Sequence, residues 1–456
     1  MSKVRIILFL ALLALGCGVA YGAMLGKTYV TPESFGAKGD GNTDDSNALT
    51  KCFQTGKSVR FSSGKSYLLK TPIRIPNSES FHIDGNGARL IIHKDYALKE
   101  NCAIFYFVTP RKSLITVENL DIACQLGQKF PKKEVRGDTY IFLVSSCDQV
   151  VFRNVKFKSE ENYNNVTFLR VNGSRKLYID HCNIVLNTLS VQGGILWLMN
   201  REDSQCSVSI KDSYFEHDVK DECMCFSVYK DYEKTKCEMN VEVDNCNFYS
   251  KGESPSSGFI LVYANSKKAY SNIDVKYKNC SFKTDGEYLR RIQGYQICPG
   301  DSDYDYGVFH TIYDQCKFDF KFKSLKTTGI LGILYSKGTS MPSEAISYIF
   351  KDCEFSLKNV SPMIDDNKSI RNGTYEFVGC SFVSDGDLFT KKNQPSKGNV
   401  WIKLENCDLK SKDSVISTES IIARKCRFTN NIKAPLHLNN SKIKVEGCTI
   451  NGILYK

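Results

Sequence analysis

Tyr277-Lys278-Asn279-Cys280-Ser281-Phe282 is followed by Tyr313-Asp314-Gln315-Cys316-Lys317-Phe318 and then by Phe350-Lys351-Asp352-Cys353-Glu354-Phe355. These blocks share a large apolar residue, two polar residues, a cysteine, a polar residue and an aromatic. With the cysteine as anchor, the block extends in both directions, to Leu120, Val155, Cys182, Ser213 and Cys246 before it and to Cys380, Cys407, Cys426 and Cys448 after it. Two residues past each anchor stands an apolar residue: Ile122, Phe157, Ile184, Phe215, Phe248, Phe282, Phe318, Phe355, Phe382, Leu409, Phe428 and Ile450. Three residues before it the chain is apolar again, from Val117 and Phe152 through Tyr277 and Phe350 to Ala423 and Val445.

Within a block, positions −5 and −3 alternate as one short strand, and positions 0 and +2 as another. The step from −3 to 0 breaks the period of two, so the chain bends there. Asn119, Asn154, His181, Asp212, Asn245, Asn279, Gln315, Asp352 and Asn406 occupy the bend. Asn and Asp tolerate left-handed backbone angles, and stacked amides can hydrogen-bond to one another. His181 is therefore read as a turn residue. A third apolar stretch lies between copies, as in Ile141-Phe142-Leu143-Val144, Ile195-Leu196-Trp197-Leu198 and Phe259-Ile260-Leu261-Val262. Three strands per repeat, like residue over like, predict an all-β right-handed parallel β-helix of about 12 or more coils, with a core on the order of 55 Å long. A stack of this kind grows without enlarging one core, so 456 residues need not mean several globular domains.

Nine cysteines of the anchor column would be stacked at the rung spacing of about 4.8 Å, too wide for the roughly 3.8 Å between β-carbons of a disulfide. They are expected to be buried thiols filling the core, and parallel thiols do not converge on a tetrahedral metal. Cys102, Cys124, Cys206 and Cys237 are assigned to longer connections, where a disulfide stays open. Residues 1–22 read as a signal peptide, with Lys3 and Arg5 before the apolar run Ile6 to Leu15 and with small residues at Ala20 and Gly22. Cys17 offers an alternative lipoprotein processing site. No other segment is long and apolar enough to span a bilayer. The expected location is therefore secreted or cell-envelope. The formal charge of +11 favours acidic partners, glycans above all. No Gly-rich phosphate loop precedes a helix, so no nucleotide site is expected; the expected partner is a polysaccharide and not nucleic acid.

Residues 23–60 form a cap segment and residues 61–456 the helix proper. The cap contains Phe35-Gly36-Ala37-Lys38-Gly39-Asp40-Gly41-Asn42-Thr43-Asp44-Asp45-Ser46-Asn47-Ala48-Leu49, and Ile83-Asp84-Gly85-Asn86-Gly87-Ala88 opens a coil beyond it. Ala48, Leu49, Cys52 and Phe53 share one face of a short helix that would plug the end of the core. Asp40, Asp44 and Asp45 are read as turn and cap residues. Together with the bend column, these stretches resemble the pectate-lyase-like superfamily, in the branch with rhamnogalacturonases, polygalacturonases, epimerase-like domains and phage tailspikes. The specific likeness covers about the first hundred residues, and the repeat extends it over the rest. The resemblance implies the fold, and a groove along one sheet as the place for a glycan. The polygalacturonase pattern is incomplete, because none of the six histidines follows a glycine.

Two functions follow as expectations. The first is a polysaccharide-processing enzyme, a lyase or a glycoside hydrolase, acting on an acidic or branched glycan. The alternative is a non-catalytic glycan-binding or adhesin-type protein. An eliminating enzyme neutralises a uronate and abstracts a proton with a base, for which Arg170 and Lys230 are candidates. A hydrolase needs two carboxylates, for which Asp365 and Asp366 are the adjacent pair. Trp197, Arg201, Tyr229, Tyr263 and Tyr335 suit the faces and charges of sugars. Asp301, Asp303 and Asp305 alternate as calcium ligands do, which makes Ca²⁺ the candidate cofactor. Glu216-His217-Asp218, with Asp221 and Glu222, is a further acidic cluster and is assigned to a connection. Oligomeric state is left open.

Overall fold

The alternation on either side of each bend produces two of the three sheets of a parallel β-helix. The computed structural model describes residues 28–76, 80–96, 103–108, 113–126, 139–159, 166–188, 194–200, 204–219, 224–230, 237–251, 258–265, 271–285, 291–298, 309–326, 334–335, 346–360, 372–386, 388, 399–412, 420–430 and 443–455. Among the described residues the first sheet has 15 strands, the second 16 and the third nine, each pairing in parallel with its counterpart one coil away except Ile453–Tyr455, which folds back antiparallel on Cys448–Ile450. The first holds the residues before the bend, such as Gln149–Arg153, Lys176–Asp180 and Ser204–Lys211. The second holds those after it, such as Lys156–Ser159 and Asn247–Ser250. The intervening apolar stretches form the third, through Thr139–Ser145, Leu196–Asn200 and Gly258–Asn265. Among the described residues no helix is long and apolar enough to cross a membrane.

Strict register places like over like. Phe248, Phe282, Phe318, Phe355 and Phe382 are successive partners in the second sheet. Their rings stack with centroids 5.0, 5.1, 4.6 and 4.6 Å apart. A parallel file, Tyr277, Tyr313, Phe350 and Phe377, stacks in the first sheet at 4.8, 4.8 and 4.7 Å. The ring spacing is therefore the strand spacing of about 4.8 Å. Each file also meets the edges of the other, as Phe350 meets Phe355 at 5.5 Å, so the core is an aromatic double column.

All nine bend residues named from the sequence have positive φ, between 48° at Asp212 and 55° at Asn119. Lys425, Gly379 and Gly447 complete the column. At Gly379 a β-carbon would lie 2.2 Å from Asp352 Oδ1, so any larger residue on that rung would have to displace the Asp352 side chain. The amide ladder is partial: Asn154 donates to Asn119 at 3.0 Å and Asn245 to Asp212 at 2.6 Å.

The anchor cysteines are buried free thiols. Most donate to the carbonyl two residues back, as Cys280 does to Lys278 at 3.2 Å and Cys353 to Lys351 at 3.3 Å. Ser213, the hydroxyl in this column, makes the same bond to Lys211 at 2.6 Å. From Cys182 onward the column holds a small side chain that donates toward the bend, which Leu120 and Val155 at its start cannot do. Burial pushes the Cys182 thiol up to about 11. Cys124, Cys206 and Cys237 lie in strands Asp121–Cys124, Ser204–Lys211 and Cys237–Asp244 rather than in connections, the first two of them buried.

The position just before the bend forms a charged column on the outer face of the first sheet. Arg153, Asp180, Lys211, Asp244, Lys278, Asp314 and Lys351 alternate in sign on consecutive rungs. After Val378 the alternation resumes with Glu405, Arg424 and Glu446. A slip of one coil would set like charges side by side, so the column reinforces register.

The helix Ser46–Gln54 buries Ala48, Leu49, Cys52 and Phe53 against the first coils, and Phe53 packs on Phe61, Phe81 and Phe105. The three early aspartates are structural. Asp40 accepts from Thr43 and Asn42, which holds it down to about 2. Asp45 receives the amides of Lys38 and Gly39, and Asp44 those of Ser46.

Candidate functional site

Strand side chains alternate inward and outward, so each sheet offers a flat outer face with a repeat of one coil. On the first sheet this face sinks into a depression of about 320 Å³ across three rungs, lined by Gln149, Val151, Arg153, Tyr178, Ile179, Asp180, Ser209 and Lys211. Tyr178 stands mid-way along its strand, with Val151 on one neighbouring rung and Ser209 on the other. Both neighbours are shorter than the ring; Tyr178 is half-buried on this face and Val151 beside it is buried.

The charged rim is pre-ordered. Arg153 Nε lies 3.5 Å from Asp180 Oδ2, and its Nη1 lies 3.4 Å from Glu118 Oε2. Glu118 in turn meets His82 Nε2 at 2.8 Å, and His82 Nδ1 lies 2.8 Å from the Tyr29 hydroxyl. The bond to His82 holds the Glu118 carboxyl below its ordinary range. His82 is 3% exposed and Glu118 5%, so this chain of polar groups is anchored in the body of the rod. Asp180 Oδ1 is bonded to His181 Nδ1 at 2.7 Å. His181, Asp180 and Asp212 bring their ligand atoms within 4.8 Å of one another at the edge of the depression.

Of the candidate residues from the sequence, those that are described belong to the third sheet. Arg170 is half-buried there. Its guanidinium lies 4.8 Å from the Tyr140 ring centroid, Nη1 donates to the Tyr140 hydroxyl, and Nε donates to Asn172 Oδ1 at 3.2 Å. The register brings Arg170 and Trp197 to matching positions on adjacent strands, and likewise Tyr229 and Tyr263. Lys230 pairs in register with Asn200, and Tyr335 with Ile297. Arg201, Asp301, Asp303, Asp305, Asp365 and Asp366 lie outside the described residues, as do Asp221, Glu222 and the leader with Cys17.

Glu216-His217-Asp218 is corrected from a connection to the strand Tyr214–Val219 of the second sheet. Glu216 accepts from the Tyr214 hydroxyl at 2.6 Å and from Lys251 at 2.5 Å. His217 is turned inward, fully buried, with Nε2 3.1 Å from Ser250 Oγ. Burial pushes its pKa down to about 4. The run is a strand with one polar residue in the core, which is why it reads as a loop.

Three sheets of parallel coils define a parallel β-helix, here with a half-buried aromatic between paired charges on the outer face of one sheet. No family model matches the chain. A capsule K30/K69-specific depolymerase of Klebsiella phage K64-1 is 49% identical over 55 residues, which is 12% of this chain and 7% of that protein. The chain thus spans only a small part of that relative. Among solved structures, PfbA, a surface adhesin of Streptococcus pneumoniae, aligns over 89% of this chain and 93% of its own, at 12% identity and a TM-score of 0.38. A mutant tailspike protein of E. coli bacteriophage HK620, in complex with a pentasaccharide, aligns over 93% of this chain and 78% of its own, at 8% identity and a TM-score of 0.35.

Proposed function

We propose that the chain is an exported polysaccharide-binding β-helix that holds a glycan on the outer face of its first sheet. The depression around Tyr178 carries this reading. A sugar needs an apolar surface for its ring carbons and fixed donors and acceptors for its hydroxyls. Tyr178 supplies the first, and Gln149, Arg153, Asp180, Ser209 and Lys211 the second. The Glu118–Arg153–Asp180 pairing fixes the rim before binding, which lowers the entropy cost of association. Among the described residues Asp180 is the carboxylate of that lining, with Asp212 at its edge, and Asp180 is already engaged by Arg153 and His181. We take this paired rim as built for holding a glycan.

A second reading is a lyase or hydrolase working on the third sheet, favoured by the side-by-side register of Arg170 with Trp197 and of Tyr229 with Tyr263. In that reading Arg170 and Lys230 serve elimination, Asp365 and Asp366 serve hydrolysis, and Ca²⁺ at Asp301, Asp303 and Asp305 assists. One experiment separates the two. Purified protein is incubated with neutral and acidic polysaccharides, with and without calcium, while binding, ultraviolet absorbance of unsaturated uronate and reducing-end release are followed. Binding that Tyr178→Ala abolishes, with no new ends, supports the proposal. New ends with absorbance identify a lyase, and new ends alone a hydrolase. No binding to any polymer overturns both.

A further inference from the structure

Trp401 is 39% exposed on the outer face of the first sheet, the same face that carries Tyr178. It lies in the strand Asn399–Glu405, in register with Thr374 on one side and Ser420 on the other. Both neighbours are small, which leaves part of the indole open to solvent. Seven rungs of one continuous sheet separate Tyr178 from Trp401, about 34 Å at the usual strand spacing.

The surface between the two rings is mostly polar and carries no cationic excess. From the Tyr178 rung to the Trp401 rung, the column beside the bend sets Lys211, Lys278 and Lys351 against Asp180, Asp244, Asp314 and Glu405, three against four. In the next outward column, Glu242 pairs in register with Lys276, and Glu376 with Lys403, with Ile312 and Ile349 on the two rungs between. A dense polyanion would meet as many carboxylates as cations along this path and gain little. Hydroxyls find donors and acceptors at every rung.

We infer that Trp401 is a second, distal subsite for a glycan of low charge density lying along the rod axis from Tyr178, so that long chains bind and short ones do not bridge. The inference rests on the polysaccharide-binding reading and adds to it the length, direction and charge class of the ligand. Two linked subsites raise affinity by roughly 10²–10⁴ over one, provided one chain spans both.

The test uses full-length protein with galactomannan, size-fractionated fragments of it, and polygalacturonate as the charged counterpart. Trp401→Ala is compared with wild type and with Trp401→Phe, which keeps a ring. Trp401→Ala should weaken galactomannan binding by about 10²-fold and leave the shortest binding fragments unaffected. Trp401→Phe should retain most of the affinity while losing part of the ligand-induced change in tryptophan fluorescence. Raised salt should change galactomannan affinity little. If galactomannan binds and Trp401→Ala binds as wild type does, the distal subsite is refuted while the proposed function stands. Tighter, salt-sensitive binding of polygalacturonate refutes the charge class. If neither polymer binds, the proposed function fails and this inference with it.

Discussion

Phe355 tests the packing account most sharply. Its ring is 2% exposed, lies 4.6 Å from both Phe318 and Phe382, and meets the edges of Phe350 at 5.5 Å and Phe377 at 5.9 Å. Phe355→Ala removes a buried phenyl and breaks the file in two. Truncations of this kind cost about 3–5 kcal/mol, and four aromatic neighbours put this one at the upper end. Phe355→Leu keeps most of the volume and should cost about 1.5 kcal/mol. In a stack each coil touches only its neighbours, so the loss should stay local. Hydrogen exchange is the assay. Amides of Lys317–Lys326, Glu354–Val360 and Ser381–Ser384 should exchange about three orders of magnitude faster, since each 1.4 kcal/mol is a factor of ten. Amides of Leu114–Glu118, many coils away, should keep their protection. A loss below about 1 kcal/mol, or an even loss along the rod, would refute both the stacked core and its nearest-neighbour character.

Three further outcomes follow from the interior. His217 is neutral when folded and has a pKa of about 4, against an ordinary value near 6.5. The unfolded chain therefore binds the extra proton first as pH falls. Stability should be full above about pH 6.5 and drop by about 3 kcal/mol on going down to pH 4, and urea titrations of His217→Gln should show a shallower acid slope. Gly379→Ala, at φ 66° with a β-carbon 2.2 Å from Asp352 Oδ1, should cost about 2 kcal/mol or more, whereas Asn406→Gly at φ 53° should stay within about 1 kcal/mol, both read from denaturation midpoints. The anchor thiols should resist alkylation in the native protein and all react in denaturant. Cys353→Ser, which keeps the donor to Lys351, should destabilise less than Cys353→Val.

The sequence made the core legible because its signal is periodic. The anchor, the bend and the apolar positions stand at fixed offsets, so aligning the blocks exposes them. The alternating charge column stands at a fixed offset too, but it becomes visible only when rungs are compared at a polar position that a search for apolar residues passes over. The third sheet has no fixed offset, because anchors recur at intervals of 19 to 37 residues, so which of its residues are neighbours is set by connections of varying length. Tyr178 carries no signal of its own. It matters because Val151 and Ser209 on adjacent rungs are short and because Arg153 and Asp180 meet beside it. Glu216 and Asp218 read as a loop because His217 puts a polar residue where the pattern expects an apolar one, and only its burial against Ser250 shows the strand.

The central claim is that a glycan lies on the first sheet. Lysine acetylation with and without a bound polysaccharide, mapped by mass spectrometry, addresses it directly. Lys176, Lys211, Lys276 and Lys278 project from that face, while Lys158, Lys283 and Lys410 project from the second. The account predicts protection of the first group and unchanged labelling of the second. Protection confined to the second group, or absent from both while the polysaccharide remains bound, would contradict it.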